Sequence, residues 1–167
     1  PLEFTTEQRF EPVDKGEETD TDVYRIAVFM SPLDVHVNRS PMASTIERME
    51  HRTGKGMKRG PFRPAYKKES EYNERVRTVF VDEQGLRIEV TQISGALART
   101  IVPWQGIGDS MRRGQRYGMI RLGSRVDLRA PAALFEPAVI SAEMAQEKHP
   151  KGEFVQAGSS VLFNPRT

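Results

Sequence analysis

The sequence contains no cysteine, and this absence excludes several kinds of chemistry. Such a chain cannot form a disulfide scaffold, use a thiolate nucleophile or hold zinc through sulfur. Its three histidines, His36, His51 and His149, lie far apart and lack the spacing of metal ligands. No stretch approaches the roughly 20 apolar residues that a membrane-spanning helix needs. The sequence therefore predicts neither a metal site nor a transmembrane helix.

Motifs of the common enzyme classes are also lacking. Gly106 and Gly108 have no third glycine of a dinucleotide-binding fingerprint, and Lys55 is not followed by the Ser or Thr of a phosphate-binding loop. The sequence also lacks the Gly-x-Ser-x-Gly motif, which holds the nucleophilic serine of α/β-hydrolases. An RNA-binding β domain is the weakest interpretation, because the aromatic residues of an RNA-binding sheet are missing. We therefore expect no nucleic-acid partner.

The composition favours many short strands. The 167 residues include 13 glycines and 11 prolines, which punctuate the chain with turns. The pattern of residues 1–22 predicts an irregular lead-in or an edge segment. Residues 96–102 are predicted to form a further buried element, and residues 141–147 one short helix. The expected fold is mainly β (a β-rich α+β class), a compact barrel-like or sandwich sheet with few short helices. The predicted strands are residues 24–30, 76–81, 86–91, 117–122, 125–128, 134–140 and 154–163, with a hairpin turn at 82–85.

Charge is unevenly distributed along the chain. Residues 1–50 hold five basic and eleven acidic residues, whereas residues 51–77 hold nine basic and three acidic ones. Residues 112–129 hold six arginines and one aspartate. Such basic segments are either solvated surfaces or a face for nucleic acid, a phosphate-bearing ligand or an anionic membrane. The Gly- and Pro-rich basic loop at 51–64 is the candidate for membrane contact or a lid.

Two segments contain residues suited to catalysis. In residues 29–41 a buried strand enters a polar turn with Asp34, His36 and Arg39, where a carboxylate can orient a proton-shuttling histidine. The alternative is an ordinary turn with a surface histidine. In residues 118–128 a Gly-Ser step interrupts a strand, so the peptide before Ser124 can be strained and attacked by its own hydroxyl to give a pyruvoyl group. The alternative is a β-bulge.

Four stretches together resemble the phosphatidylserine decarboxylase family in its short form, which includes archaetidylserine decarboxylases. The stretches occur in the family's order, and the Gly-containing tail resembles its closing hairpin. The resemblance covers roughly residues 24–130 plus that tail, and it favours the catalytic interpretation of both segments. The four stretches are residues 29–39, 66–75, 92–99 and 118–127, and the tail is residues 154–162.

The resemblance implies self-cleavage of one domain, residues 1–167, at the Gly123–Ser124 bond. Residues 1–123 become the β chain, and residues 124–167 become an α chain blocked by a pyruvoyl group. That group, derived from Ser124, is the only implied cofactor, with no metal and no pyridoxal phosphate, and its carbonyl forms a Schiff base with the substrate amine. The second Gly-Ser bond, before Ser159, lacks the Leu-Gly-Ser setting and is rejected as the cleavage site.

The resemblance also assigns roles to further residues. His36 is the implied proton donor and Asp34 its orienter. Longer family members carry a second histidine where this chain has Arg39, and Asp14 is an imperfect match to the aspartate that activates cleavage in those forms. The implied substrate-binding residues are Arg39, Ser94, Gly95 and Arg99.

The implied reaction converts phosphatidylserine, or an ether-lipid analogue, to phosphatidylethanolamine and CO₂. The expected partners are the lipid, an anionic membrane surface and the self-derived α and β chains, and a homo-oligomer is left open. The expected location is peripheral, at the cytoplasmic side of the cell membrane. The rival interpretation is a non-catalytic β module that binds anionic lipid, and the two interpretations differ at Ser124.

Overall fold

The structure is a computed structural model that describes residues 2–7, 23–52, 73–95, 100–121, 124–139 and 154–167. These residues form strands and no helix, which confirms the prediction of a mainly β protein. The helix predicted at 141–147 and most of the basic loop at 51–64 lie outside the described residues. The strands are β1 Leu2–Glu7, β2 Val23–Met30, β3 Val37–Arg39, β4 Ser44–Arg52, β5 Arg75–Val81, β6 Arg87–Ile93, β7 Ile101–Pro103, β8 Ser110–Met111, β9 Arg116–Ile120, β10 Ser124–Pro131, β11 Phe135–Pro137 and β12 Phe163–Pro165.

The smaller of two compact units comprises residues 1–27 and 128–167. Here β1 is an edge strand beside β2, as expected of an edge segment, and β10 follows β2 in the strand order. Strands β11 and β12 pair antiparallel. The Phe135 and Phe163 rings pack edge to face, with their centres 6.2 Å apart. The Arg166 Nε donates to the carbonyls of Ala132 and Phe135, each at 3.0 Å, which fixes Arg166 against the β11 segment.

The larger unit, residues 28–127, is built on an antiparallel sheet with the order β6-β5-β4-β8. Strands β5 and β6 form the predicted hairpin, in which Arg75 pairs with Ile93 and Val81 with Arg87. The Asp82 carboxylate accepts the N–H groups of the turn, and Gly85 has a φ of +82°, which favours glycine. The hairpin prediction is therefore confirmed. Strand β10 follows β6 in the strand order.

A second sheet of the larger unit, β3-β9-β7, carries the segments of interest. Its central strand contains Gly118, where an added Cβ would lie 3.0 Å from the carbonyl oxygen of Val102. Only glycine fits this close approach without a shift of the backbone. The inner side chains of this sheet, Ile101 and Ile120, form a buried cluster with Val76 of β5. The core of the unit therefore joins its two sheets.

Sequence patterns missed three strands and overestimated another. Strands β3, β4 and β8 were not predicted, because they lack the apolar runs that mark buried strands. Strand β4 forms because β5 and β8 supply partners on both sides. The strand predicted at 154–163 is wrong for most of its length, since only Phe163 onward pairs and Gly158 has a φ of +80° within a turn. Among the described residues, no neighbouring strand forms backbone hydrogen bonds with the exposed residues beside this turn, so they do not become a β-strand.

Candidate active site

Ser124 is the first residue of β10 and is almost completely buried, with 1% of its surface exposed. Its Oγ makes no hydrogen bond with any residue that the structure describes. A buried hydroxyl without a partner is uncommon, because its desolvation is not compensated. Such an atom is a candidate for a chemical role. Gly123, on the other side of the predicted cleavage bond, lies outside the described residues.

A buried ion pair follows Ser124 along β10. The Arg125 guanidinium contacts the Asp127 carboxylate through two nitrogens, at 2.8 and 3.0 Å, and both side chains are at most 3% exposed. The same guanidinium lies 5.9 Å from the centre of the Phe29 ring, a cation–π distance. Because side chains alternate along a strand, Arg125 and Asp127 lie on the face of β10 opposite to Ser124.

We expect Asp127→Asn to destabilise the protein strongly, because it removes the negative charge that faces the buried Arg125 guanidinium. The expected loss is about 3 kcal/mol in the free energy of unfolding, measured by urea titration. Glu47→Gln is the control, since Glu47 pairs with Arg87 in the same bidentate manner but at side-chain exposures of 27% and 52%. That control should lose under about 1 kcal/mol. Equal losses in the two variants would contradict the prediction.

His36 is partly buried and is fixed by the backbone of the turn before it. Its Nδ1 lies 2.7 Å from the main-chain carbonyl oxygen of Asp34. Since a carbonyl oxygen only accepts, Nδ1 is the donor in this bond. The neutral ring therefore carries its proton on Nδ1, which leaves Nε2 as the nitrogen without a proton.

Asp34 orients this ring through its main chain, while its carboxylate holds the turn. One carboxylate oxygen accepts the Ser31 N–H at 2.6 Å. Hydrogen bonds from Ser31, followed by the charge of His36, hold the pKa of Asp34 below its ordinary value. The carboxylate therefore contributes stability above the pKa of an unfolded aspartate, and this contribution disappears as the pH falls through the lower folded pKa.

Strand pairing places His36 beside the chain that leads to Ser124. The His36 carbonyl accepts the N–H of Ile120 at 3.0 Å, and Ile120 precedes Ser124 by only four residues. Strand β3 then continues antiparallel to β9, with Asn38 opposite Gly118. The two segments singled out from the sequence are thus neighbours in the fold, although 88 positions separate His36 from Ser124.

A buried hydrogen bond between two side-chain amides connects β3 to the main sheet of the larger unit. The Gln92 Nε2 donates to the Asn38 Oδ1 at 2.6 Å, and Gln92 is completely buried. This bond crosses from β6 to β3, two residues after His36. Sequence reasoning did not single out Asn38 or Gln92. Their only signal was their position inside the stretches that carried the family resemblance.

The predicted substrate-binding residues have different surroundings. Ser94 and Gly95 are buried at the end of β6, and the Ser94 Oγ has no hydrogen-bond partner among the described residues. The Ser94 carbonyl accepts the Asn73 Nδ2 at 2.8 Å. An Arg39 nitrogen donates to the Gly114 carbonyl at 2.9 Å, which braces the turn between β8 and β9. Arg99 lies outside the described residues.

The described ranges contain no group of three or more potential metal-ligating side chains. No helix in those ranges is long and apolar enough to cross a membrane.

Comparison with known proteins adds independent information. The family model described as phosphatidylserine decarboxylase matches residues 3–162. The phosphatidylserine decarboxylase proenzyme of Thermobifida fusca is 49% identical over 115 residues, which are 69% of this chain and 49% of the relative. The proenzyme of Streptomyces coelicolor is 52% identical over 107 residues, 64% of this chain and 46% of the relative. The proenzyme of Erythrobacter litoralis is 42% identical over 143 residues, 86% of this chain and 51% of the relative.

The chain spans about half the length of the curated relatives that it matches. No solved structure matches it.

Proposed function

The chain belongs to the phosphatidylserine decarboxylase family, and from this membership we propose that it converts phosphatidylserine to phosphatidylethanolamine and CO₂ by means of a pyruvoyl group made from Ser124. The observation that carries the proposal is the buried Ser124 Oγ, which has no hydrogen-bond partner among the described residues. The proposed activity is that of the whole protein, after its cleavage into an α and a β chain.

Self-processing uses atoms of the chain and one water molecule. The Ser124 Oγ attacks the carbonyl carbon of Gly123, the C–N bond breaks, and the hydroxyl proton passes to the departing amine. The resulting ester then loses the Cα proton of residue 124 and the Gly123 carboxylate by elimination. Water hydrolyses the dehydroalanine that remains, and it leaves a ketone and ammonia.

The residues around Ser124 fit a pyruvoyl group, since the orphaned Oγ marks a buried position at the start of a strand that the Arg125–Asp127 pair fixes. The carbonyl of that group supplies the electron sink that decarboxylation of an amino acid needs. Burial at this position limits the access of bulk water to the reacting centre. His36, whose Nε2 exchanges protons, is the residue that we assign to return a proton to the substrate Cα.

The proposal also covers where the enzyme acts, which residues bind the lipid headgroup and how the two chains associate. The substrate is a lipid, so we propose peripheral association with an anionic membrane, at its cytoplasmic side. The buried polar residues Ser94 and Gly95 belong to the proposed headgroup site, together with Arg39 and Arg99. The α and β chains stay associated, because β10 of the α chain remains in the sheets formed with β-chain strands. A homo-oligomer is compatible with this arrangement.

The purified wild-type protein tests the proposal by denaturing gel and intact mass. We expect two pieces that meet between residues 123 and 124, the smaller one lighter by one ammonia than a serine-initiated chain. Its amino terminus should resist Edman sequencing and react with a carbonyl reagent. A single chain with an unmodified Ser124 that still binds anionic lipid would contradict the proposal and support the non-catalytic module.

A further inference from the structure

The outer face of the β3-β9-β7 sheet is apolar and only half-buried. Val37, Met119 and Val102 are direct cross-strand neighbours, and each is partly exposed. Because successive residues of a strand point to opposite faces, the intervening residues Asn38 and Ile120 belong to the buried side. The sheet therefore shows a row of three apolar side chains away from the core.

The turn before β3 extends this row with two more apolar residues. Leu33 is 97% exposed and Val35 is 56% exposed. The Asp34 N–H donates to the Ser31 carbonyl at 3.0 Å, and the Asp34 carboxylate accepts the Ser31 N–H, so the turn is held in this shape. Exposed apolar side chains grouped in one segment in this way mark a candidate interaction site. We name Leu33, Val35, Val37, Val102 and Met119 the apolar face.

The chain segments that carry the apolar face have a positive net charge. Residues 31–39 and 100–121 contain five arginines and two aspartates, with no lysine or glutamate. Both aspartates accept backbone hydrogen bonds within their own turns, from Ser31 and Gly106. Arg121, which is exposed, lies two residues beyond Met119 and so points to the same side. The charge therefore complements an anionic surface. The five arginines are Arg39, Arg112, Arg113, Arg116 and Arg121.

We propose that the apolar face docks on a bilayer that contains anionic lipids. The inference rests on the proposed function, whose substrate is a lipid. Aliphatic side chains enter the boundary between headgroups and acyl chains, while arginines stay at the phosphate level. His36 directly follows Val35, and its ring is tied to the carbonyl of the same turn. Docking through this face therefore places the turn that holds His36 next to the bilayer.

Vesicle sedimentation tests the docking surface. The whole protein is mixed with vesicles of phosphatidylcholine and phosphatidylglycerol, neither of which is the proposed substrate, so binding is measured independently of decarboxylation. The double variant Leu33→Ser/Val35→Ser should bind about tenfold more weakly, since two exposed aliphatic side chains no longer leave water. The matched control is Leu134→Ser, a 52% exposed leucine outside the face, which should bind like the wild type.

A second measurement detects the contact of position 33 with the bilayer directly and does not require a variant that binds more weakly. Because the chain has no cysteine, Leu33→Cys and Leu134→Cys each accept a single environment-sensitive fluorophore. On the same vesicles, the label at position 33 should shift to the blue and brighten, whereas the label at position 134 should stay unchanged. An unchanged label at position 33, or equal changes at both positions, would overturn the proposal.

The remaining outcomes separate docking from catalysis. Unchanged sedimentation of the double variant, or no vesicle binding by the wild type, would overturn the docking surface even if the enzyme decarboxylates phosphatidylserine. Binding that depends on the apolar face in a protein that does not cleave itself would support docking and contradict the proposed function. A wild-type dimer in lipid-free sedimentation that the double variant dissociates would assign the face to a second copy instead and overturn the lipid proposal.

Discussion

Ser124→Ala is expected to remain one chain of 167 residues and to lose decarboxylation completely. Alanine has no hydroxyl to attack the Gly123 carbonyl, so neither the cleavage nor the pyruvoyl group can form. Without an electron sink the negative charge at the substrate Cα is not delocalised, and enzymes contribute rate factors of at least about 10⁶ to such reactions. Release of labelled CO₂ from phosphatidylserine, together with a denaturing gel, measures both effects.

The chain offers a matched control for this variant. Ser159 follows the second Gly-Ser bond, at an exposed turn where Gly158 has a φ of +80°. Ser159→Ala should cleave and decarboxylate like the wild type. Folding of Ser124→Ala is checked by urea unfolding, and we expect little change, because the Oγ makes no hydrogen bond with the described residues. Two chains from Ser124→Ala, or residual turnover above background, would refute the role of this serine.

His36→Gln should give a protein that cleaves normally but turns over phosphatidylserine about 10² to 10⁴ times more slowly. Glutamine preserves a hydrogen-bonding group toward the Asp34 carbonyl but cannot exchange a proton near neutral pH. The loss should fall on kcat with little change in KM, because the role concerns proton transfer rather than binding. Intact mass verifies the cleavage, and a lipid-turnover assay measures the rate.

His51→Gln is the control for this prediction. His51 is also a histidine of the larger unit, but it is 45% exposed and its Nε2 lies 2.7 Å from the Glu74 carboxylate. We expect wild-type turnover from this variant. If His36→Gln retained full turnover, another group would have to protonate Cα. If it failed to cleave, His36 would belong to self-processing instead.

The sequence alone determined the strands whose signal is local. Strand β2 and the β5–β6 hairpin were predictable because short apolar runs and the Asp82–Gly85 turn depend on nearby residues. The candidates Ser124 and His36 were also identifiable, since their motifs are contiguous in the chain. Burial of Ser124 and the fixed ring of His36 were not predictable, because each depends on what lies around the residue in space.

Tertiary structure decided how these segments meet. Strand β3 exists because β9 offers it a ladder, and Asn38 is anchored by Gln92 from β6, 54 positions away. The polar strand β4 likewise forms only between β5 and β8. A local pattern reports which face of a segment avoids water, but it contains no information about which distant segment will cover that face. For that reason the residues of the candidate site could be read from the sequence, whereas their proximity and environment came from long-range strand pairing.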